Sequence, residues 1–368
     1  MRPVIVLIFH ATAPDDAGPL VSMLAQARHS LANRQRDAFV AAGADEAEVV
    51  EGPADAVSFG ERLAARMRAR TGSAGSGTVA GGVIVLGSGS IPLARPADLR
   101  RFVEAAAGPG GHALANNRYS ADVVAVSRAA DLAGLPPLPA DNALPRWLEE
   151  RAGVTVTDLR SRWRLGVDVD TPLDLLVLGL DRATVAGLAT APLIGDRLAV
   201  LSDVLTNRRA ELLVAGRVSA TTLRWLESGV ACRVRALVEE RGLRAASRLA
   251  QSGVTTGSRA PRSVLGELID RDGPGSLAHT VATLADAAVV DTRVLLAHRH
   301  GAAESAWPEP EDRFASDLLA PATIADPWLR ALTESATASA DHPILLGGHT
   351  LVNGGLRLLA QRARAGKR

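Results

Sequence analysis

Apolar positions along this chain fall into two alternating rhythms. Residues 4–9 form an unbroken β-branched and apolar run, the pattern of a strand buried on both faces. Residues 18–42 follow with helical spacing, and Gly43 is placed to stop that helix. Residues 48–51 predict a short second strand, and residues 54–70 a second helix with Phe59, Leu63 and Met67 on one face. Residues 71–77 are rich in Gly and Ser and read as a flexible loop. The clearest strand is 82–86. It runs into Gly87, Ser88, Gly89 and Ser90, and a helix follows with Pro96 in its first turn. A further strand is expected over 122–126 and a further helix over 142–152.

This alternation predicts an α/β fold: a mostly parallel sheet with helices on both faces. We assign it to residues 1–190. A chain of 368 residues exceeds what one core usually holds, so a second α/β domain is expected over 191–368. The Gly- and Pro-containing stretch 180–198 serves as the junction. In the second half, 211–215, 219–228 and 232–238 read as one strand–helix–strand unit. Residues 287–297 read as one long strand on which Asp291 and Arg293 share a face, either as an ion pair or, turned to the junction, as substrate ligands. His298 and His300 continue that alternation, with no third metal ligand apparent. Residues 300–327 read as a surface arm, with Glu309, Glu311, Asp312 and Arg313 solvated. Trp307 and Trp328 would then be offered to a neighbouring subunit of a homo-oligomer. Residues 343–346 form the last strand, and the Gly-rich 347–355 turns into a final helix.

Composition narrows the chemistry. The formal charge is +1 and no block of like charge stands out, which argues against a nucleic-acid groove or a polybasic membrane patch. The run 4–9 is too short for a secretory or membrane-spanning segment, so the cytoplasm is the expected compartment. Of 41 basic residues only Lys367 is a lysine. No core lysine can therefore form a Schiff base or serve a Walker-type phosphate loop. Any phosphate must be held by Arg, backbone N–H groups or a metal. Cys232 is the single cysteine. It excludes an internal disulfide and reads as a buried structural residue.

Ligands of open parallel sheets bind at the carboxyl ends of strands, and three segments of the first half fall there. In the turn after 82–86, Gly87, Ser88 and Ser90 let a backbone approach a ligand closely. Asn116, Asn117 and Arg118, beside Tyr119 and Asp122, make the densest polar cluster and are candidate substrate ligands. Asp168 and Asp170 lie two apart, so an extended backbone directs both carboxylates to one side, where oxygen ligands could hold Mg²⁺. Thr171, Pro172 and Asp174 read as a helix start: cap, first turn and capping box.

The segments Val83-Ile-Val-Leu-Gly-Ser-Gly-Ser-Ile-Pro-Leu-Ala-Arg-Pro-Ala-Asp-Leu99 and Gly166-Val-Asp-Val-Asp-Thr-Pro-Leu-Asp-Leu175 resemble the MobA-like nucleotidyltransferases, which include molybdenum-cofactor and 2-phospholactate guanylyltransferases. The resemblance covers about residues 1–180. It implies a nucleoside triphosphate, Mg²⁺, and transfer of a nucleotidyl group to a small phosphorylated or hydroxyl acceptor, with Asp170 as metal-binding and catalytic carboxylate. Two readings compete with it: a non-catalytic descendant that binds a nucleotide or partner, and a nucleotide-sugar glycosyltransferase of the shared GT-A-like fold. The chain departs from the family pattern twice. Residues 10–18 hold Asp15 and Asp16 but no Lys or Arg, and Gly89 and Ser90 stand where the first metal aspartate belongs. Arg28 and Arg34 are expected on the solvated face of their helix.

Overall fold

The computed structural model describes residues 2–53, 57–72, 81–132, 134–138, 141–181, 185–240 and 261–366. The chain divides into two units. One comprises residues up to 17 and 24–169; the other comprises 18–23 and 170 onward.

In the first unit, β1 (Val4–Thr12) lies between β2 (Glu46–Pro53) and β3 (Gly82–Gly87), parallel to both, with Ile8 in register with Val49 and Leu86. Beyond β3 come β5 (Val123–Val126), β4 (His112–Ala115) and β6 (Thr155–Asp158), giving the order β2-β1-β3-β5-β4-β6. β5 runs against both its neighbours, while β4 and β6 are parallel. The sheet is mostly parallel, as the sequence predicts. The four-residue strands β4 and β6 are too short to leave a periodic signal.

Period-two alternation sends the β1 side chains to two cores. Val4, Val6 and Ile8 pack with Ala32 and Phe39 of α1 (Pro19–Ala41) and Phe102 of α3 (Pro96–Ala107). Leu7, Val83 and Val85 pack on the other face with Leu63 and Met67 of α2 (Phe59–Gly72) and Leu148 of α4 (Leu144–Glu150). Each fully buried Leu, Ile, Met or Phe contributes about 1.5–3 kcal/mol. α3 begins as predicted: Pro96 occupies its first turn, and the Asp98 carboxylate accepts the Arg95 N–H at 3.0 Å. The expected loop 71–77 begins as the end of α2, and residues 73–80 lie outside the described residues, as do 54–56 of the expected second helix.

The second unit holds a sheet ordered β10-β9-β7-β8, parallel throughout: β7 (Glu211–Gly216), β8 (Arg233–Val238), β9 (Ala287–Asp291) and β10 (Ile344–Gly347). Leu212, Val214, Val289 and Leu345 lie in its core. Helix α5 (Pro172–Leu178) opens with the predicted box: Thr171 Oγ accepts the Asp174 N–H while Asp174 accepts that of Thr171. Left-handed Gly179 closes the helix.

Three sequence expectations change in this unit. Within 180–198, read as a junction without a strong period, α6 (Ala191–Thr206) begins. Its buried Arg197 donates to the carbonyls of Ala336 and Ile344; residues 182–184 lie outside the described residues. The 287–297 run is not one strand. It turns at Asp291, whose side chain caps α10 (Thr292–His300) by accepting the Arg293 N–H. His298 and His300 therefore lie on a helix, and His298 is buried between the Ser263 N–H and Asp270. The 300–327 segment is not an arm. It contains α11 (Pro310–Asp317), and Asp312 is buried, accepting the N–H groups of Ala325 and Asp326 at 2.9 and 2.8 Å. Glu311 accepts those of Leu20 and Val21. Trp307 is buried within its own chain and donates to Gly301 O. Helices α7 (Ala220–Gly229), α8 (Val264–Asp272), α9 (Leu277–Leu284), α12 (Pro327–Ala338) and α13 (Leu356–Gly366) complete the layers. Cys232 is buried, and burial raises its thiol to about 11. None of the described helices is long and apolar enough to cross a membrane.

Candidate functional site

The first unit's strand order creates a topological switch. From β1 the chain steps to β2 on one side, then passes back to β3 on the other. Ligands of open α/β sheets bind at such a point, outside the carboxyl ends of the strands. The ends of β1 and β3 meet there through His10 and Ser88. The Ser88 N–H donates to Phe9 O at 2.9 Å, and its Oγ lies 3.1 Å from His10 Nδ1, with both side chains buried. His29 stacks 5.2 Å from the His10 ring and pairs with Glu51 of β2 at 2.9 Å. Burial first, and then His29 and Arg28, hold His10 below the usual imidazole range against the opposing pull of Glu51. This shift favours the neutral imidazole, which can either donate to or accept from the serine hydroxyl.

His10 escapes a reading based on motifs because its importance depends on strand order. It stands in the place where the resemblance leads one to look for a basic loop.

The turn after β3 is stitched to the Asp168 segment. Ser90 and Asp168 form an isolated antiparallel bridge, and the Val169 N–H donates to Gly89 O at 2.9 Å. Gly89 is required by this approach, since a Cβ there would lie 2.7 Å from Val169 O. Arg28 does not lie on the solvated face as expected. Its Nε donates to Val169 O at 2.5 Å beside Gly89. The signal for this was present in the sequence: Leu24, Arg28, Leu31 and Gln35 follow one helical stripe, and the other three are buried. Gln35 Nε2 donates to Ser90 O, while its buried Oε1 has no hydrogen-bond partner among the described residues.

Asn116, Asn117 and Arg118 are each engaged by neighbours within the first unit. Asn116 is buried and engaged within the fold. Its Nδ2 donates to Asp122 and Leu165 O, each at 2.7 Å, and its Oδ1 accepts from the N–H groups of Asp122 and Val123. That leaves no donor for a substrate. Asn117 Oδ1 accepts the Tyr119 N–H in a turn. Arg118 pairs with Glu149, which raises its pKa further. Tyr119 stays 63% exposed under the guanidinium groups of Arg118 and Arg160.

Asp168 is buried and Asp170 half exposed. Asp174 Oδ2 accepts the N–H groups of Asp170 and Thr171 and the Thr171 hydroxyl, at 2.8–3.0 Å, so it fixes the backbone from which the Asp170 carboxylate projects. Within the second unit, Asp170 Oδ2 lies 3.8 Å from His349 Nδ1, adding an imidazole donor that sequence reading had not joined to this motif. Carboxylate oxygens suit Mg²⁺, whereas imidazole nitrogen suits softer ions. The Asp168 and Asp170 carboxylates offer oxygen ligands of the kind that hold a divalent metal.

No protein-family model matches the chain, and no curated protein matches it. Among solved structures, a Desulfovibrio desulfuricans G20 protein named as a candidate nucleotide-diphospho-sugar transferase aligns at 16% identity and a TM-score of 0.35, spanning 54% of this chain and 97% of that one.

Proposed function

We propose that this protein is a nucleotide-dependent transferase whose donor phosphates lie over the turn at the end of β3. The observation that carries this reading is the stitching of Gly89 and Ser90 to Asp168 and Val169, at the end of the sheet where ligands of this architecture bind. The two motifs that resemble nucleotidyltransferases are distant in sequence and adjacent in the fold. Gly87 to Ser90 would supply a close backbone, and the Gln35 Oε1 acceptor would meet a donor group of the ligand. Arg28 supplies positive charge where the first loop has none.

Asp168 and Asp170 would hold Mg²⁺, which when bound supplies charge neutralisation of the donor phosphates. Asp174 keeps the Asp170 backbone in place for that duty. In nucleotidyl transfer, an oxygen of a small phosphorylated or hydroxyl acceptor bonds to the α-phosphorus, the bond to the β-phosphate oxygen breaks, and pyrophosphate leaves. A second reading follows from the sparse positive charge at the turn. One guanidinium suits a nucleoside diphosphate-sugar better than a triphosphate, and an acceptor oxygen would then bond to the sugar's anomeric carbon as the nucleoside diphosphate leaves.

Calorimetric titration with the four nucleoside triphosphates and with nucleotide-sugars, with and without Mg²⁺, tests the reading. Binding that requires both Mg²⁺ and Asp170 supports it. Release of pyrophosphate or of nucleoside diphosphate then tells the two transfers apart. Absence of binding to any of these donors overturns both.

A further inference from the structure

The second unit has a switch point of its own. From β7 the chain steps to β8 on one side, then returns past β7 to β9 on the other, all in parallel. Arg217, directly after β7, and Asp291, the last residue of β9, meet at that point. Gly216 makes the meeting possible. Its φ is +134°, and a Cβ there would lie 2.2 Å from the Asp291 Cβ.

The buried Asp291 carboxylate accepts from Arg217 Nε at 2.5 Å and Nη2 at 3.0 Å. Burial works against its charge, but the Arg217 guanidinium overrides burial and holds the carboxyl below its ordinary range. Asn353 fixes the backbone around Arg217, donating to Arg217 O and accepting the Ser219 N–H, each at 2.9 Å. The guanidinium is therefore held along one edge. At its other edge Nη1 makes no hydrogen bond among the described residues, and the side chain keeps 23% exposure. A pair serving packing alone would bury both partners. Here one partner is locked and the other presents a fork, the geometry that matches two oxygens of a planar or tetrahedral anion.

Charge selects among such anions. Below Arg217, the buried Arg293 is paired with the buried Asp317, so two guanidiniums are already matched by two carboxylates. The Asp170 carboxylate also acts on Arg217. A polyanion would meet the Asp170 carboxylate, which His349 Nδ1 faces at 3.8 Å, whereas a monoanion keeps the forked hydrogen bonds at the least repulsion. We infer that the second unit binds a small monoanionic group, a carboxylate or a phosphodiester, on the outer edge of Arg217, with Asp291 as the positioning residue. This inference shares Asp170 with the proposed function but needs no bound nucleotide or metal.

Heteronuclear NMR of the arginine Nε–H groups of the full chain tests it, with Arg217→Lys identifying the Arg217 signal by its loss. Acetate or dimethyl phosphate should shift that signal saturably, and whichever does so names the source of the anion. Inorganic phosphate as a dianion should bind about tenfold more weakly. Asp170→Asn, at a half-exposed position, should close most of that gap in the absence of metal. No saturable shift with either monoanion overturns the site. Equal or tighter phosphate binding, or no gain in Asp170→Asn, overturns the monoanion selectivity. Because the titrations contain neither nucleotide nor Mg²⁺, their failure leaves the proposed function untouched, and failure of donor binding leaves this site untouched.

Discussion

Gly89 and Val169 are in backbone contact: the Val169 N–H donates to Gly89 O at 2.9 Å, and a Cβ on Gly89 would stand 2.7 Å from Val169 O. The carbonyl cannot swing away freely, because Arg28 Nε also donates to it. Gly89→Ala is therefore expected to destabilise the protein by about 1–3 kcal/mol, read as a lower urea midpoint. Donor binding should fall with it, since the Asp168 segment must shift. An unchanged midpoint would show that the turn yields more easily than its packing implies.

His10 predicts a pH dependence. Its folded pKa lies below the unfolded value of about 6.5. As pH drops below about 6.5, the unfolded chain gains a proton that the folded chain refuses, and stability declines down to the lowered folded value. Above about 6.5 the contribution is constant. His10→Asn, which keeps a polar atom near the position of Nδ1, should flatten this part of the curve. Urea midpoints measured across that range in both proteins check the sign, and a decline that persists in His10→Asn would assign it elsewhere.

Asp170 and Asp174 should separate function from stability. Asp170 is half exposed, so Asp170→Asn is expected to change stability by no more than about 0.5 kcal/mol while removing Mg²⁺-dependent donor binding. Asp174 is buried and receives three hydrogen bonds on one oxygen. Asp174→Ala should cost about 2–3 kcal/mol, through lost capping and unpaired N–H groups. Melting temperature and calorimetric affinity, measured on both variants, give the comparison. Loss of stability in Asp170→Asn would mean that this residue belongs to the cap.

Asn116 puts the polar-cluster reading to the test. Asn116→Ala would take their acceptor from the half-buried Asp122 and the buried Val123 N–H groups, and is expected to cost about 2–4 kcal/mol. At temperatures where the variant stays folded, its donor affinity should be unchanged. A large fall in affinity with normal stability would restore Asn116 as a substrate ligand.

What the sequence discloses follows the range of the interactions involved. The start of α3 at Pro96 and the Thr171–Asp174 box are local, and each was legible from a few residues. The misread stretches had local signals too, but composition outweighed them, apolar in one and polar in the other. Asp291 before Thr292 was a helix cap inside an apolar run, and Asp326 before Pro327 was another inside a segment that looked like an arm. His10, Ser88 and the Gly89–Val169 contact belong to a different class. They depend on which strands are neighbours, and no spacing encodes that. The same holds for Asp291 and Arg293, two residues apart and read as an ion pair or as joint substrate ligands. Strand order and a helix start divide them, giving Asp291 to Arg217 and Arg293 to Asp317.

The Arg293–Asp317 pair offers the sharpest energetic test. Both side chains are buried; the pair is joined at 2.5 Å, and Asp317 Oδ2 has no hydrogen-bond partner among the described residues. Burial keeps the Asp317 carboxyl above its ordinary range despite Arg293, the sign of a charge whose desolvation is incompletely offset. Removing one partner leaves the other charge buried alone, so Arg293→Met and Asp317→Leu should each cost about 3–5 kcal/mol. Removing both takes away the desolvation cost as well as the attraction. The double variant should regain most of the loss and come within about 1–2 kcal/mol of the parent. Denaturant melts of the four proteins give the coupling energy. Additive losses in the double variant would show that the two residues act through separate neighbours, Arg293 through Thr292 and Asp291, and that their ion pair contributes little.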